Sequence, residues 1–256
     1  MNLHRLGTNA LAKEAAKALN LKLAETKANM KNKQTLLLIS GGSALAILDF
    51  LDADLTDENT TISVFDDRHT TDPKQNNFCL LSETEFFKKS VARGARTIDT
   101  SLPSDSPASS SNTPTLSLQE HGQQFENNIK KWLKENPEGI VLATMGVGPD
   151  GHTGGMMPFP ENPSLFQNLF ESEQLAIGYD ATGKNPFVER ITVTMTFIKK
   201  YLSFAVVYMS GENKREGLGK ILDEGGEQGA SAPSLAEAPC RILREIPEVE
   251  IFTDIS

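Results

Sequence analysis

The chain holds two cysteines, Cys79 and Cys240, among 256 residues. Two thiols cannot build a disulfide framework or a four-ligand zinc site, so the fold must rest on its apolar core. Histidines are also few, at positions 4, 69, 121 and 152, and show no metal-ligand spacing. No metal is expected. No apolar run approaches the roughly 20 residues of a membrane-spanning helix. Met1–Arg5 leads into a Lys/Ala-rich stretch and not into the apolar region of a signal peptide. One tryptophan, three tyrosines and thirteen phenylalanines form no stacking series and read as core. A basic face is missing too: the net charge of −9 argues against a general nucleic-acid binder. It leaves room for a small anionic ligand, because a few local cations can dominate a cleft. These absences imply a cytoplasmic protein with neither membrane nor nucleic-acid partners.

What is present is an alternation of helical and strand patterns. Thr8–Lys31 has helical spacing through Leu11, Ala12, Ala15, Ala16, Leu19 and Leu23. Thr35–Ile39 is a short apolar run that ends at Ser40-Gly41-Gly42-Ser43, after which Ala44–Leu51 resumes a helical pattern. Thr61–Phe65 reads as a strand that ends at Asp66-Asp67-Arg68-His69, and Pro73–Leu81 as a short helix. Ser101–Thr115, rich in Ser and Pro, reads as a flexible exposed loop. Leu116–Lys134 is helical, Ile140–Met145 a strand, and Ser172–Ile177 leads into another strand. Arg190–Thr196 alternates like a half-buried strand; Leu202–Tyr208 and Val249–Thr253 are further strands, and Glu212–Leu222 is a helix. The order predicts an α/β fold, a mostly parallel, Rossmann-like sheet covered by helices on both faces, with room for a smaller α+β lobe.

Three predicted strand ends carry the polar chemistry, and open α/β sheets bind ligands outside the carboxyl ends of their strands. After the first, Gly41 and Gly42 precede Ser43 and a helix, a setting in which free N–H groups suit a phosphate. That turn lacks the lysine of a P-loop and the third glycine of a dinucleotide fingerprint. After the second, Asp66 and Asp67 adjoin Arg68, which can neutralise one carboxylate while gripping an anion. After the third comes Gly146-Val-Gly-Pro-Asp150-Gly151-His152-Thr153, a glycine loop holding a carboxylate and an imidazole. His152 is the candidate general base, since histidine titrates near neutrality. His69 and His121 read as surface residues, the latter on an exposed helix. Arg190 and Lys214 open a predicted strand and helix and could point at a phosphate.

In order, these blocks resemble the 6-phosphogluconolactonase family, within the superfamily that includes glucosamine-6-phosphate isomerase/deaminase. The residues that carry it are Leu38-Ile39-Ser40-Gly41-Gly42-Ser43, Phe65-Asp66-Asp67-Arg68 with Asn77, and Gly148-Pro149-Asp150-Gly151-His152-Thr153. Arg190-Ile191-Thr192-Val193-Thr194 and Ser210-Gly211-Glu212-Asn213-Lys214 continue the series. Pro149, Thr153 and Arg68 favour the lactonase branch. The resemblance implies one sugar-phosphate domain over residues 1–256. It implies hydrolysis of 6-phospho-D-glucono-1,5-lactone to 6-phosphogluconate in the oxidative pentose phosphate pathway, without cofactor. On the same resemblance His152 activates water and Asp150 holds it. Gly41, Gly42, Ser43, Asp66, Asp67, Arg68, Asn77, Gly151, Arg190 and Lys214 form the substrate site. The chain departs from the usual pattern at Ala44-Leu45 (Thr-Pro), Asn76 (Ser), Asp67 (Glu) and Gly154-Gly155-Met156-Met157 (Ala-Ser-Leu-Phe). Two alternatives stay open: an amino-sugar-phosphate isomerase/deaminase and a non-catalytic sugar-phosphate sensor. Monomer and homodimer are equally compatible with the sequence.

Overall fold

The computed structural model describes residues 1–29, 33–103, 116–224 and 232–256. Its main sheet has seven strands: β1 (Asn2–Arg5), β2 (Thr35–Ile39), β3 (Thr60–Val64), β5 (Arg96–Thr97), β6 (Ile140–Gly146), β9 (Leu202–Met209) and β10 (Glu248–Thr253). All pair in parallel, in the order β1-β10-β9-β6-β2-β3-β5. A parallel strand covered on both faces must be apolar throughout, and all five residues of β2 are buried. Alternation then sorts them: Leu36 and Leu38 face one core, Leu37 and Ile39 the other.

The helices α1 (Thr8–Asn29), α2 (Asn77–Ser82) and α3 (Glu85–Ala92) bury Leu11, Leu19, Phe78, Leu81 and Phe86 in the second core. The helices α4 (Leu118–Glu135), α5 (Pro163–Phe170), α6 (Met195–Tyr201) and α7 (Arg215–Leu222) bury Phe125, Ile129, Phe166, Phe197 and Leu218 in the first. The predicted two-sided covering is therefore observed. A second, antiparallel sheet joins β4 (Asp66–Arg68), β8 (Glu189–Val193) and β7 (Ala176–Asp180). Helix α4 lies flush on it, since a Cβ on Gly122 would fall 1.9 Å from the Gly178 nitrogen. Among the described residues no helix is long and apolar enough to cross a membrane.

Several elements differ from expectation, each for a local reason. β1 is an edge strand with mixed exposure, and β4 is three residues of charge, so neither offers apolar alternation to read. The segment after the first glycine turn is a 3₁₀ helix, Gly42–Phe50, and not an α-helix. Strand β8 stops at Val193 because Thr194 caps α6, its side chain accepting from the Phe197 N–H. Helix α2 starts only at Asn77, where the Asn76 side chain accepts from the Cys79 N–H. Most of the expected loop Ser101–Thr115 falls on residues 104–115, outside the described residues. The same holds for 30–31 at the end of the predicted helix Thr8–Lys31.

His121 is the largest reversal: it is 3% exposed, turned inward from α4. Its Nε2 lies 3.0 Å from the Thr100 carbonyl, which can only accept, so Nε2 carries the proton. Its Nδ1, 3.0 Å from Nδ1 of His69, is then the acceptor. Burial, reinforced by His69, lowers the His121 pKa from 6.5 to about 4. The unfolded chain binds this proton more readily, so stability due to a neutral His121 is lost as pH falls from 6.5 to about 4. We expect the stability lead of the parent over His121→Gln to shrink across that window by up to about 3 kcal/mol. Urea unfolding of both chains at matched pH values measures it.

Candidate active site

Strand order reverses between β2 and β6: the chain runs from β2 outward to β3, then returns to place β6 on the other side of β2. The segments leaving these two strands therefore face each other across the crevice expected of such a switch point. The Ser40 N–H donates to the Thr144 hydroxyl of β6 at 3.0 Å, fastening the first segment to the second.

The β6 segment folds back on itself. Val147 pairs with Thr153, and the Gly148 N–H donates to the His152 carbonyl at 2.9 Å. Within this loop, Gly148-Pro149-Asp150-Gly151 closes a turn through the Gly151 N–H and the Gly148 carbonyl, 3.1 Å apart. Proline suits the second position of such a turn and glycine the fourth, where φ is +90°. This turn brings Asp150 beneath His152, with Oδ1 2.6 Å from Nδ1 and 3.1 Å from the His152 nitrogen. An ionised carboxylate only accepts, so Nδ1 carries the proton and Nε2 keeps a free lone pair. Burial pushes the Asp150 pKa up, but the hydrogen bonds from the His152 ring and backbone, with the attraction of the ring whenever it is protonated, more than offset this and hold it below the usual range.

From behind, Lys220 of α7 donates Nζ to the Asp150 carbonyl at 2.9 Å, and the Cys240 N–H donates to Gly151 at 2.8 Å. Helix α7 comes this close because residue 217 is glycine: a Cβ there would lie 2.3 Å from the Gly148 carbonyl.

A cleft of about 240 Å³ opens in front of His152. Gly41, Gly42, Ser43, Asp66, Arg68, Asn77, Arg190 and Lys214, predicted from distant parts of the chain, all line it. Three predicted site residues do not. Asp150 and Gly151 lie behind His152. Asp67 is fully buried and accepts from the N–H groups of Arg68 (2.7 Å), Asn77 (2.5 Å) and Phe78 (3.1 Å) and from the Thr100 hydroxyl (2.6 Å). It secures the start of α2 and leaves no oxygen for a ligand. Burial pushes its pKa up to about 6, against the pull of those donors.

Arg190, expected to point at a phosphate, is already engaged by a carboxylate. It is 5% exposed and paired with Asp66 at 2.5 Å. Lys214 donates to the Ser43 hydroxyl at 2.9 Å, and burial lowers its pKa although Asp254 raises it. Sequence reasoning did not single out Ser40, Gly154 and Gly155 as site residues, yet they line the same cleft. The available signal was the glycine pair itself. Both adopt positive φ, and a Cβ on Gly155 would fall 2.7 Å from that of Asp66.

Seven buried side-chain polar atoms lack a partner among the described residues, and four belong to the cleft: Ser40 Oγ, Arg68 Nε, Asn77 Oδ1 and Arg190 Nε. Orphaned buried groups are costly, so their concentration here marks a surface made to meet a polar ligand. Among the described residues no group of three or more His, Cys, Asp or Glu could hold a metal ion.

Comparison with known proteins shows the family. The family model described as glucosamine-6-phosphate isomerases/6-phosphogluconolactonase matches residues 7–246. The chain belongs to this family. A probable 6-phosphogluconolactonase of Dictyostelium discoideum is 25% identical over 202 residues, covering 77% of this chain and 75% of that one. The crystal structure of a Thermotoga maritima 6-phosphogluconolactonase superposes with a TM-score of 0.68 at 17% identity, covering 98% of both chains. A Shewanella baltica 6-phosphogluconolactonase gives 0.69 at 18%, covering 99% of this chain and 97% of that one. At such identities the structural likeness establishes the Rossmann-like fold that the family shares.

The His152–Asp150 pair depends on a missing side chain. A Cβ on Gly148 would lie 2.1 Å from Cε1 of His152 and 2.2 Å from its Nδ1. We expect Gly148→Ala to swing the imidazole away and break the pair with Asp150. The ¹⁵N shift of His152 Nδ1 then moves toward that of an unpaired ring, while the far-ultraviolet spectrum stays that of the parent.

Proposed function

We propose that this protein is a 6-phosphogluconolactonase, which hydrolyses 6-phospho-D-glucono-1,5-lactone to 6-phosphogluconate. The observation that carries the reading is His152, oriented by Asp150 and lining a cleft that also holds Arg68, Lys214 and unpaired polar groups. Its Nε2 takes a proton from water as the oxygen attacks the lactone carbonyl carbon. Collapse of the tetrahedral intermediate breaks the bond from that carbon to the ring oxygen, which recovers the proton from the imidazolium. Asp150 keeps the tautomer right and balances the transient positive charge. Because Asp66 already neutralises Arg190, the countercharge for the phosphate falls on Arg68 and Lys214. Holding that remote group positions the lactone at the base.

A sugar isomerase needs a base to move a proton between neighbouring carbons. The carboxylates nearest the cleft are poor candidates, since Asp67 is saturated by four donors and Asp66 is tied to Arg190. His152 is the base that the cleft presents, and its imidazole suits the activation of water.

The test is hydrolysis of freshly made 6-phosphogluconolactone, coupled to 6-phosphogluconate dehydrogenase and corrected for spontaneous opening. We expect His152→Ala to lower kcat by about 10²–10⁴-fold with little change in affinity for 6-phosphogluconate. Ammonia release from glucosamine 6-phosphate would support a deaminase instead, and stoichiometric binding without turnover a sensor. Arg190→Ala should cost stability first, about 3–5 kcal/mol, because it strands the buried Asp66 carboxylate. Urea unfolding of that variant checks this separately from catalysis.

A further inference from the structure

Phe187 and Val188 stand out on the surface, 36% and 39% exposed, in the connection between β7 and β8. This connection is firmly built. The Ala181 N–H donates to the Val188 carbonyl at 2.6 Å, and the Phe187 N–H donates to the Asn185 side chain at 3.0 Å. It holds the Phe187 ring with its centroid 4.2 Å from the guanidinium carbon of Arg68. On Arg68 itself, Nη1 is tethered to the Gln75 carbonyl at 2.7 Å, while Nε is buried without a partner. Arg68 lines the cleft and Phe187 does not. The ring thus lies against the side chain from outside the ligand space, and its quadrupole attracts the cation.

We propose that Phe187 is a positioning residue for anion recognition: its ring and the Gln75 carbonyl fix the Arg68 guanidinium so that its charge faces the substrate's phosphate. The proposal rests on the reading of Arg68 as a phosphate ligand given above. A long arginine without such supports must be ordered by the ligand each time it binds, and that cost weakens binding. Arg190 adds to the need, because it repels Arg68 while Asp66 and Asp67 attract it. Phe187 does not line the cleft and reaches it through Arg68, so its effect belongs to binding and not to the chemical step.

The test is calorimetric binding of 6-phosphogluconate and of unphosphorylated gluconate to the parent, Phe187→Ala, Phe187→Leu, Phe187→Tyr, Arg68→Ala and the double Phe187→Ala/Arg68→Ala chain. We expect Phe187→Ala and Phe187→Leu to raise Kd for 6-phosphogluconate about threefold to tenfold, with gluconate binding unchanged and kcat at saturating lactone retained. Phe187→Tyr, which keeps the π face, should restore affinity. In the Arg68→Ala background, loss of the ring should add nothing. Full affinity in Phe187→Leu would reduce the residue to apolar packing and overturn the proposal. So would equal losses on Phe187→Ala with and without Arg68. If Arg68→Ala itself left 6-phosphogluconate affinity intact, the phosphate reading of Arg68 would fall, and the proposal with it.

Discussion

The parallel pairing of β2 with β6 is the constraint on which the rest of the molecule depends. It aligns Thr35–Leu38 with Ile140–Ala143, and the two strands then release their chains side by side at the same edge. One becomes the glycine turn of Ser40–Ser43, the other the loop that bears Asp150 and His152. Neither could reach the other if β6 paired elsewhere, because the loops are short and their backbones are bound into turns. The Ser40–Thr144 hydrogen bond extends the pairing by one contact beyond the strands.

The second sheet completes the cleft by a different physics. It delivers Asp66 and Arg68 from β4 and Arg190 from β8, and the Asp66–Arg190 pair bonds those two strands as well as forming a wall. A buried pair is weak evidence of added stability, since desolvation consumes much of the attraction. Its clearer consequence is chemical. By cancelling the Arg190 charge it leaves Arg68 and Lys214 as the cations with charge to spare. The same sheet supports the glycine strap after His152, through the Tyr179 hydroxyl on the Gly155 carbonyl at 2.6 Å and the Thr192 hydroxyl on that of Gly154.

Glycine recurs in these arguments because the site is crowded with backbone. Gly41 makes room for the Asn77 side chain, Gly148 for the His152 ring, and Gly217 for the loop itself. None of these three has a positive φ, so other residues could adopt the same conformation; space is what they provide. Gly154 and Gly155 adopt positive φ, a conformation that favours glycine at both positions.

The sequence by itself determined the alternation of helices and strands, because buried parallel strands such as Thr35–Ile39 must be continuous apolar runs. The family resemblance carried by its motifs also implied that Asp150 holds His152, and the two are joined through a turn, Gly148-Pro149-Asp150-Gly151, that is local in sequence. Short or charged strands escaped it: β1 and β4 owe their existence to neighbours that supply the other half of their hydrogen bonds. His121 escaped as well, because a glycine beside it on α4 lets the helix sink onto β7 and carries the imidazole inward. The division of labour among Asp66, Asp67, Arg68 and Arg190 was likewise unreadable. Two adjacent aspartates look equivalent in sequence, yet alternation along β4 sends one to the cleft and the other to the start of α2. Only the tertiary structure decides which, because burial and available partners are properties of the packed neighbours and not of the residue.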